Sequence, residues 1–349
     1  MNKFFFISII IMFLLKTGNV LSANSIFDVD NIDIDQKEYQ SNEELLNFAF
    51  KEAFNKLINR ILLKQDISKI SSISLTDIKD LISYYQIIYK KGPNDDKNNH
   101  INISFEREKI NKLFYKKNIS YADLSESKIV IFPILIRNNN FYIYSDNYFY
   151  NNWETNDSTT KNKFIEYILP VENIDSIDLI KKNIDNLEQI NTKKILSDYD
   201  IEDYIFLIID EYKNDIKILI KGVISKKEII KNFNLKNNNL KNELFYDLII
   251  SEVNKEIVEI IKSRNLIDIR TPAFLNMKLV LKNNNDLLKI QNALKKIDLV
   301  ENFSVKELSK NYAIIKIKYY GKINKIYEKL EDENIKIKIV NNKWQIELI

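Results

Sequence analysis

Apolar residues recur along this chain with two periods, near 2 and near 3.6, and those runs predict its elements. The densest run is Lys128–Tyr144, KIVIFPILIRNNNFYIY. From Ile129 to Ile136 it is apolar at nearly every position, which predicts a strand covered on both faces. Phe141–Tyr144 is a second run. Asn138, Asn139 and Asn140 stand between the two and predict a hairpin, because asparagine tolerates the positive φ of a tight turn. Pro133 lacks a backbone donor, so it predicts an edge position or a bulge.

Upstream, Ile26–Asp35 reads as a strand. Ser41-Asn42-Glu43-Glu44 is a capping box. The helix behind it runs to about Leu63, with Leu46, Phe50, Ala53, Leu57 and Ile61 on one face, flanked by Phe54 and Ile58. Its cation Arg60 sits in the last turns, where the helix dipole favours it. A short helix over Thr76–Ser83, strands at Tyr84–Tyr89 and Ile101–Phe105, and a helix over Glu106–Lys117 complete a β-α-(α)-β-β-α unit around the polar loop Lys90–Asn99.

Downstream of the hairpin, Phe164–Leu169 is a strand closed by Pro170, and Ser176–Leu187 and Asn191–Ser197 look helical. Tyr204–Asp210 is a second strand apolar on both faces, and Ile216–Ile220 returns from it. Asn242–Ser263 is an amphipathic helix with Leu244, Phe245, Leu248, Ile249, Val253, Ile257 and Ile260 along one side. From Thr271-Pro272 onward the order is strand 274–281, helix 286–297, strands 300–308 and 312–320, helix 322–330, and strands 335–340 and 344–349. That is the ferredoxin-like βαββαβ pattern with one extra C-terminal strand. The alternation of IKIKIV gives this last sheet one wet, lysine-rich face. The fold class is therefore α+β in three small units, 23–127, 128–268 and 269–349.

The first residues have a different character. Met1-Asn2-Lys3 is a short basic region, Phe4–Leu15 is an unbroken apolar run, and Val20-Leu21-Ser22-Ala23 offers small residues for cleavage. This is the layout of a secretory signal peptide over 1–22, cut after Ser22, with cutting after Ala23 or Ser25 as alternatives. The run falls short of the roughly 20 residues of an ordinary spanning helix. A periplasmic chain is expected, with an uncleaved inner-membrane anchor as the alternative. Removing Lys3 and Lys16 lowers the net charge from +3 to about +1. That balance gives no support to nucleic-acid binding.

Composition removes several chemistries. There is no cysteine, and a single histidine, His100, stands in a polar stretch; Gly18, Gly92, Gly222 and Gly321 are isolated. Thiolate and histidine-rich metal sites, a Ser-His-Asp triad and a glycine-rich phosphate loop lack their parts. No catalytic, cofactor or metal residue is assigned, and no cofactor is expected.

Three weaker candidates remain. Asp28, Asp30, Asp33 and Asp35 hint at a calcium loop, but glycine is missing from the sixth position and Tyr39 stands where the bidentate glutamate belongs; acids on the wet face of a strand are preferred. Asp210 and Glu211 are adjacent carboxylates, and neighbours on a strand point to opposite faces. The aromatic stretch Tyr148–Trp153 offers a sugar platform or, as preferred, packing over the sheet. The functional expectation is a non-enzymatic envelope protein that binds another protein or an assembly. The alternative is an envelope hydrolase acting on glycan or peptide through carboxylates such as Asp210. The sequence does not set the oligomeric state.

Several segments resemble a family of exported proteobacterial proteins of unknown function. ISFEREKINKLFYKKNISYADLSESKIVIFPILIRNN is similar to that family's succession of strand, helix and buried strand. LPVENIDSIDLI resembles its Leu-Pro segment with trailing acids, here Leu169, Pro170, Asp175 and Asp178. ILSDYDIEDYIFLII resembles its helix-then-strand segment with a preceding tyrosine, here Tyr199, and the strand pair ending at Gly321 is also similar. The chain departs from the pattern at Tyr121-Ala122, where a tryptophan is expected, and at Lys64-Gln65-Asp66, where a glycine is expected. The resemblance implies export and an α+β build and transfers no catalytic residue.

Overall fold

Helices and sheets mix in an α+β arrangement. The computed structural model describes residues 26–35, 41–89, 98–124, 127–156, 159, 164–184, 186, 190, 192–212, 215–237, 241–283, 285–340 and 343–348. The expected signal segment, residues 1–22, lies outside them, as does most of the polar loop at 90–99.

The chain begins with β1 (Asp28–Asp35). Ser41 then caps α1 (Asn42–Ile61), its Oγ accepting from the Glu44 N–H at 3.2 Å, which is the N-cap half of the expected capping box. Phe50, Ala53, Phe54, Leu57, Ile58 and Ile61 are buried along α1. The short α2 (Lys64–Ile67) and α3 (Leu75–Leu81), the latter capped by Ser74, lead into β2 (Ile82–Tyr89) and β3 (Asn98–Phe105). After α4 (Arg107–Lys117), Asn118 turns the chain at φ 55° into the two-residue β4 (Tyr121–Ala122). The sheet order is β1-β3-β2, antiparallel throughout. Val29, Ile32, Ile34, Ile101 and Ile103 point from it into one core with the buried face of α1.

The middle of the chain contains β5 (Ser127–Arg137), β6 (Asn140–Tyr142), α5 (Tyr148–Asn152), β7 (Ile165–Ile168), α6 (Ile174–Lys182) and α7 (Thr192–Ile195). It continues through β8 (Tyr204–Tyr212), β9 (Asp215–Ile224), β10 (Lys227–Lys236) and α8 (Asn242–Arg264). The sheet order is β10-β9-β8-β5-β6, with β7 parallel to the first half of β5. Parallel neighbours β5 and β8 are buried on both faces, as their apolar runs predict. Val130, Phe132, Ile134, Phe206 and Ile208 face Ile180 of α6 and Ile195 of α7, while Ile129, Ile131, Leu135, Ile205, Leu207 and Ile209 are buried on the other side.

The hairpin turn forms as expected, with Asn138 at φ 50° and Asn139 at φ 63° and with Arg137 paired to Asn140. Pro133 makes no bulge, since the β5–β8 register runs through the Pro133–Leu207 pair without a shift, but it does stand at a local edge of β5. On its other side, β7 pairs only Ser127–Val130 and β6 only Leu135–Arg137. Pro133 stands in the gap between these short strands. Its carbonyl there accepts from Asn147 Nδ2 at 2.9 Å. In a strand the N–H and C=O of one residue point the same way, so the missing donor also faces the gap and no ladder bond is lost.

The stretch Tyr148–Trp153, read as packing, contains the helix α5, with Phe149 and Trp153 fully buried. One further expectation is corrected. The buried stripe of α8 is Phe245, Tyr246, Ile249, Ile250, Val253, Ile257 and Ile261; Leu244 and Leu248 are exposed. The helix is thus rotated from the predicted face, because isoleucine and tyrosine at neighbouring positions form an equally continuous stripe.

The chain resumes with β11 (Leu266–Ile267), β12 (Ala273–Val280), α9 (Asp286–Lys296), β13 (Val300–Leu308), β14 (Tyr312–Tyr319), α10 (Ile323–Asp332), β15 (Ile335–Val340) and β16 (Lys343–Leu348). The sheet order is β13-β14-β12-β16-β15. The additional strand β16 is inserted beside β12, running parallel to it, and β15 takes the edge.

Where the sequence suggests three units, contacts divide the chain into two. One runs from Asp123 to Asn265; the other joins the residues up to Ala122 with Leu266–Ile349. The first and last segments share one buried core. Arg107 Nη1 donates to the Ile297 carbonyl at 2.8 Å, and β4 pairs with β11. The middle unit is therefore an insertion into the outer one.

Candidate functional site

The acids of the first strand and the lone histidine, read separately in the sequence, meet on one surface. It is the face of the β1-β3-β2 sheet turned away from α1. Period-2 alternation places every second side chain there, and the registers align them in rows. Asp28, Ser104 and Tyr84 form one row, and Asp33, His100 and Ile88 another. Between them, Asp30 and Asn31 together oppose Asn102, which in turn pairs with Gln86.

Two residues against one make a β-bulge. Asn31 takes it at φ 54°, and its N–H donates to Asn102 Oδ1 at 2.9 Å. The bulge keeps Val29 and Ile32 on the core side although they are three apart. It also explains why the acids are spaced two, three and two residues apart. That spacing, with an asparagine at the break, is the signal from which this face was legible.

The face is concave. A cleft of about 360 Å³ is lined by Asp28, Asp30, Asn31, Tyr84, Gln86 and Asn102, together with Ile103 and Ser104. Ser104 Oγ donates to Asp28 Oδ1. Beneath, the buried guanidinium of Arg60 donates to the carbonyls of Ile26 and Asp28, the latter at 2.8 Å. Burial lowers the Arg60 pKa from its usual value, while the charges of Asp28 and Asp30 raise it. Arg60 thus braces the strand from below as well as suiting the helix end. Farther along the face, Asp33 Oδ1 lies 2.6 Å from His100 Nδ1, with the imidazole mostly covered.

The calcium reading of these acids is not supported by their placement. Asp28 and Asp33 pair four residues apart on β3, so they stand about 13 Å from each other on an extended strand. Among the described residues no group of three or more acids or histidines is placed to hold a metal ion. The Asp35 side chain is outside the described part.

The second acidic candidate is split by the sheet. Glu211 pairs with Arg137, and Asp210 with Ile136, on opposite faces. Arg137 Nε donates to Glu211 Oε2 at 2.7 Å and Arg137 Nη2 to the Tyr246 hydroxyl at 2.9 Å; that hydroxyl donates to Glu211 Oε1 at 3.1 Å. The Glu211 hydrogen bond holds the Arg137 pKa above its usual value, and burial with the Glu211 charge raises that of Tyr246. The cluster sits at the carboxyl ends of two parallel strands, where open α/β sheets bind ligands. Its own side chains satisfy one another and tie α8 to the sheet.

The aromatic stretch is packing. Phe149 and Tyr148 both lie against Tyr246 with ring centroids 5.2 Å apart, and Trp153 meets Tyr167 edge-on at 5.5 Å. Each such buried ring is worth about 2–3 kcal/mol of apolar transfer. Sequence reasoning missed Asn147, which is fully buried. Its Nδ2 reaches the carbonyls of Pro133, Tyr142 and Ile143, and its Oδ1 accepts from the N–H groups of Phe149 and Tyr150.

Among the described residues no helix is long and apolar enough to cross a membrane. No protein-family model matches the chain, and no curated protein matches it.

Proposed function

We propose that this chain is an exported, periplasmic binding or assembly-accessory protein of the cell envelope, without a catalytic role, akin to the exported proteobacterial family its segments resemble. The observation that carries this reading is that two of the candidate acids, Glu211 and Asp28, are engaged by neighbours. Glu211 is held by Arg137 and Tyr246, and Asp28 by Ser104. Paired acids do chemistry when their environments separate their pKa values or their spacing brackets a bond; these instead brace strands. What the N-terminal sheet offers is a rigid polar face suited to holding a ligand. The element order after Ala273 supports reading the last sheet as a ferredoxin-like unit with β16 added inside it.

The test is crosslinking in cells. A photoreactive phenylalanine analogue at Tyr84 is expected to give a discrete adduct with an envelope component, and the same analogue at the exposed Tyr115, which does not line the cleft, is not. The mature chain recovered with it is expected to begin at Ala23. Identical patterns at both positions would overturn the reading.

The alternative, a hydrolase, is favoured by one contact, the Asp33–His100 pair. A carboxylate beside an imidazole is the arrangement of an oriented general base. Turnover of an envelope glycan or peptide that disappears in His100→Ala would establish it.

A further inference from the structure

We propose that the cleft on the outer face of the β1-β3-β2 sheet is a carbohydrate site, taking a neutral or amino-bearing sugar and refusing acidic ones. The inference rests on the binding reading above and names its ligand class. At about 360 Å³ the cleft lies within the size range of small-molecule sites. Such sites are usually lined by apolar groups with a few polar ones. Here the order is inverted, with carboxylates, amides and a serine hydroxyl around one aromatic ring.

A sugar has the complementary surface. Its adjacent hydroxyls each donate and accept, and planar amides and carboxylates meet two of them at once. Gln86 and Asn102 are cross-strand partners, which sets two amides side by side. Asn102 Oδ1 is taken by the Asn31 N–H, which directs the amide and leaves Nδ2 to donate. The C–H face of a pyranose needs an aromatic ring, and Tyr84, 57% exposed, stands in the row next to Gln86.

Charge selects within the class. Asp28 and Asp30 carry two negative charges over the single buried cation of Arg60. Phosphorylated sugars and uronates are repelled, while a neutral sugar or an ammonium group is accepted. The groups sit on strands with the bulge pinned by its own hydrogen bond, so little ordering accompanies binding.

The experiment is a titration of the purified mature chain followed by NMR, with N,N′-diacetylchitobiose, glucosamine and glucuronate as probes. Saturable shifts at residues 84–88 and 100–104 are expected with the first two, at Kd of about 1–10 mM, and none with glucuronate. Tyr84→Ala and Gln86→Ala each remove an exposed side chain. Each is expected to weaken binding about 10-fold or more with the melting temperature unchanged, and Tyr115→Ala to leave it intact. The proposal is overturned if neither sugar saturates by about 50 mM, if the variants bind as the parent does, or if glucuronate binds equally. An in-cell adduct at Tyr84 alongside a failed titration would retire the sugar and leave the binding reading standing. Consumption of the bound sugar would retire the non-enzymatic reading and leave the site.

Discussion

At Asn147 one side chain closes a hole in a sheet. Its amide fills the gap between β6 and β7, satisfying carbonyls on three residues and capping α5 with its oxygen. Asn147→Asp would keep the shape, remove both donors and place a carboxylate among carbonyl oxygens. The expected loss is about 3 kcal/mol, from buried acceptors left unpaired, read as a lower urea midpoint for the middle unit. The chain has many asparagines, and composition alone suggests filler. The backbone shows another use. Asn31, Asn118, Asn138, Asn139 and Asn334 all take positive φ, while Gly321 is the one glycine among the described residues that does so. In a chain with four glycines, asparagine takes five of the nine left-handed positions among the described residues. That was legible at Asn138-Asn139, where apolar runs flank the turn. It was not legible at Asn147, because a buried amide and a loop amide look alike until the sheet is built around one of them.

Among the elements of eight residues or more, β10 is the one the apolar pattern does not predict, for an identifiable reason. Its turn with β9 is Ser225-Lys226, at φ 52° and 61°, and it lacks the Asn-Gly type of signal. Both Asp203 carboxylate oxygens accept from the Ser225 N–H, at 2.9 and 3.0 Å, so a distant acid supplies part of what turn chemistry omits. The strand is also disguised by composition. Ile229 is its one fully buried residue, and Lys227, Lys231 and Lys236 dress an edge that would otherwise invite another strand. Lys226→Gly relieves the left-handed backbone and is expected to stabilise the middle unit by about 0.5–1 kcal/mol, seen as a higher urea midpoint. In β9 itself Gly222 is needed for a different reason: a Cβ there would lie 2.0 Å from the Tyr204 carbonyl oxygen. By contrast α1, β5 and β8 were plain in the sequence, because long apolar periods outweigh local ambiguity.

For the whole molecule, sequence order suggested three consecutive bodies, since 269–349 contains a complete succession of strands and helices. What order along the chain cannot reveal is that its apolar face is shared with residues on the far side of a 143-residue insertion. Ile269–Ile349 expressed alone is therefore expected to lack cooperative unfolding. Asp123–Asn265 alone, and a chain linking Ala122 to Leu266 by a two-residue turn, are each expected to unfold cooperatively by circular dichroism. The link is short because Ala122 and Leu266 are already paired across β4 and β11, and Asp123 N–H donates to the Asn265 carbonyl at 3.0 Å just inside the insertion. That zipped neck has a kinetic consequence. Closing an unstructured loop of roughly 140 residues costs about 4 kcal/mol, against about 1 kcal/mol for a loop of four. During synthesis the middle emerges whole before the last strands exist, and once folded it delivers Leu266 directly beside Ala122. Completion of the outer unit then follows as a local event, with the insertion acting as its template for closure.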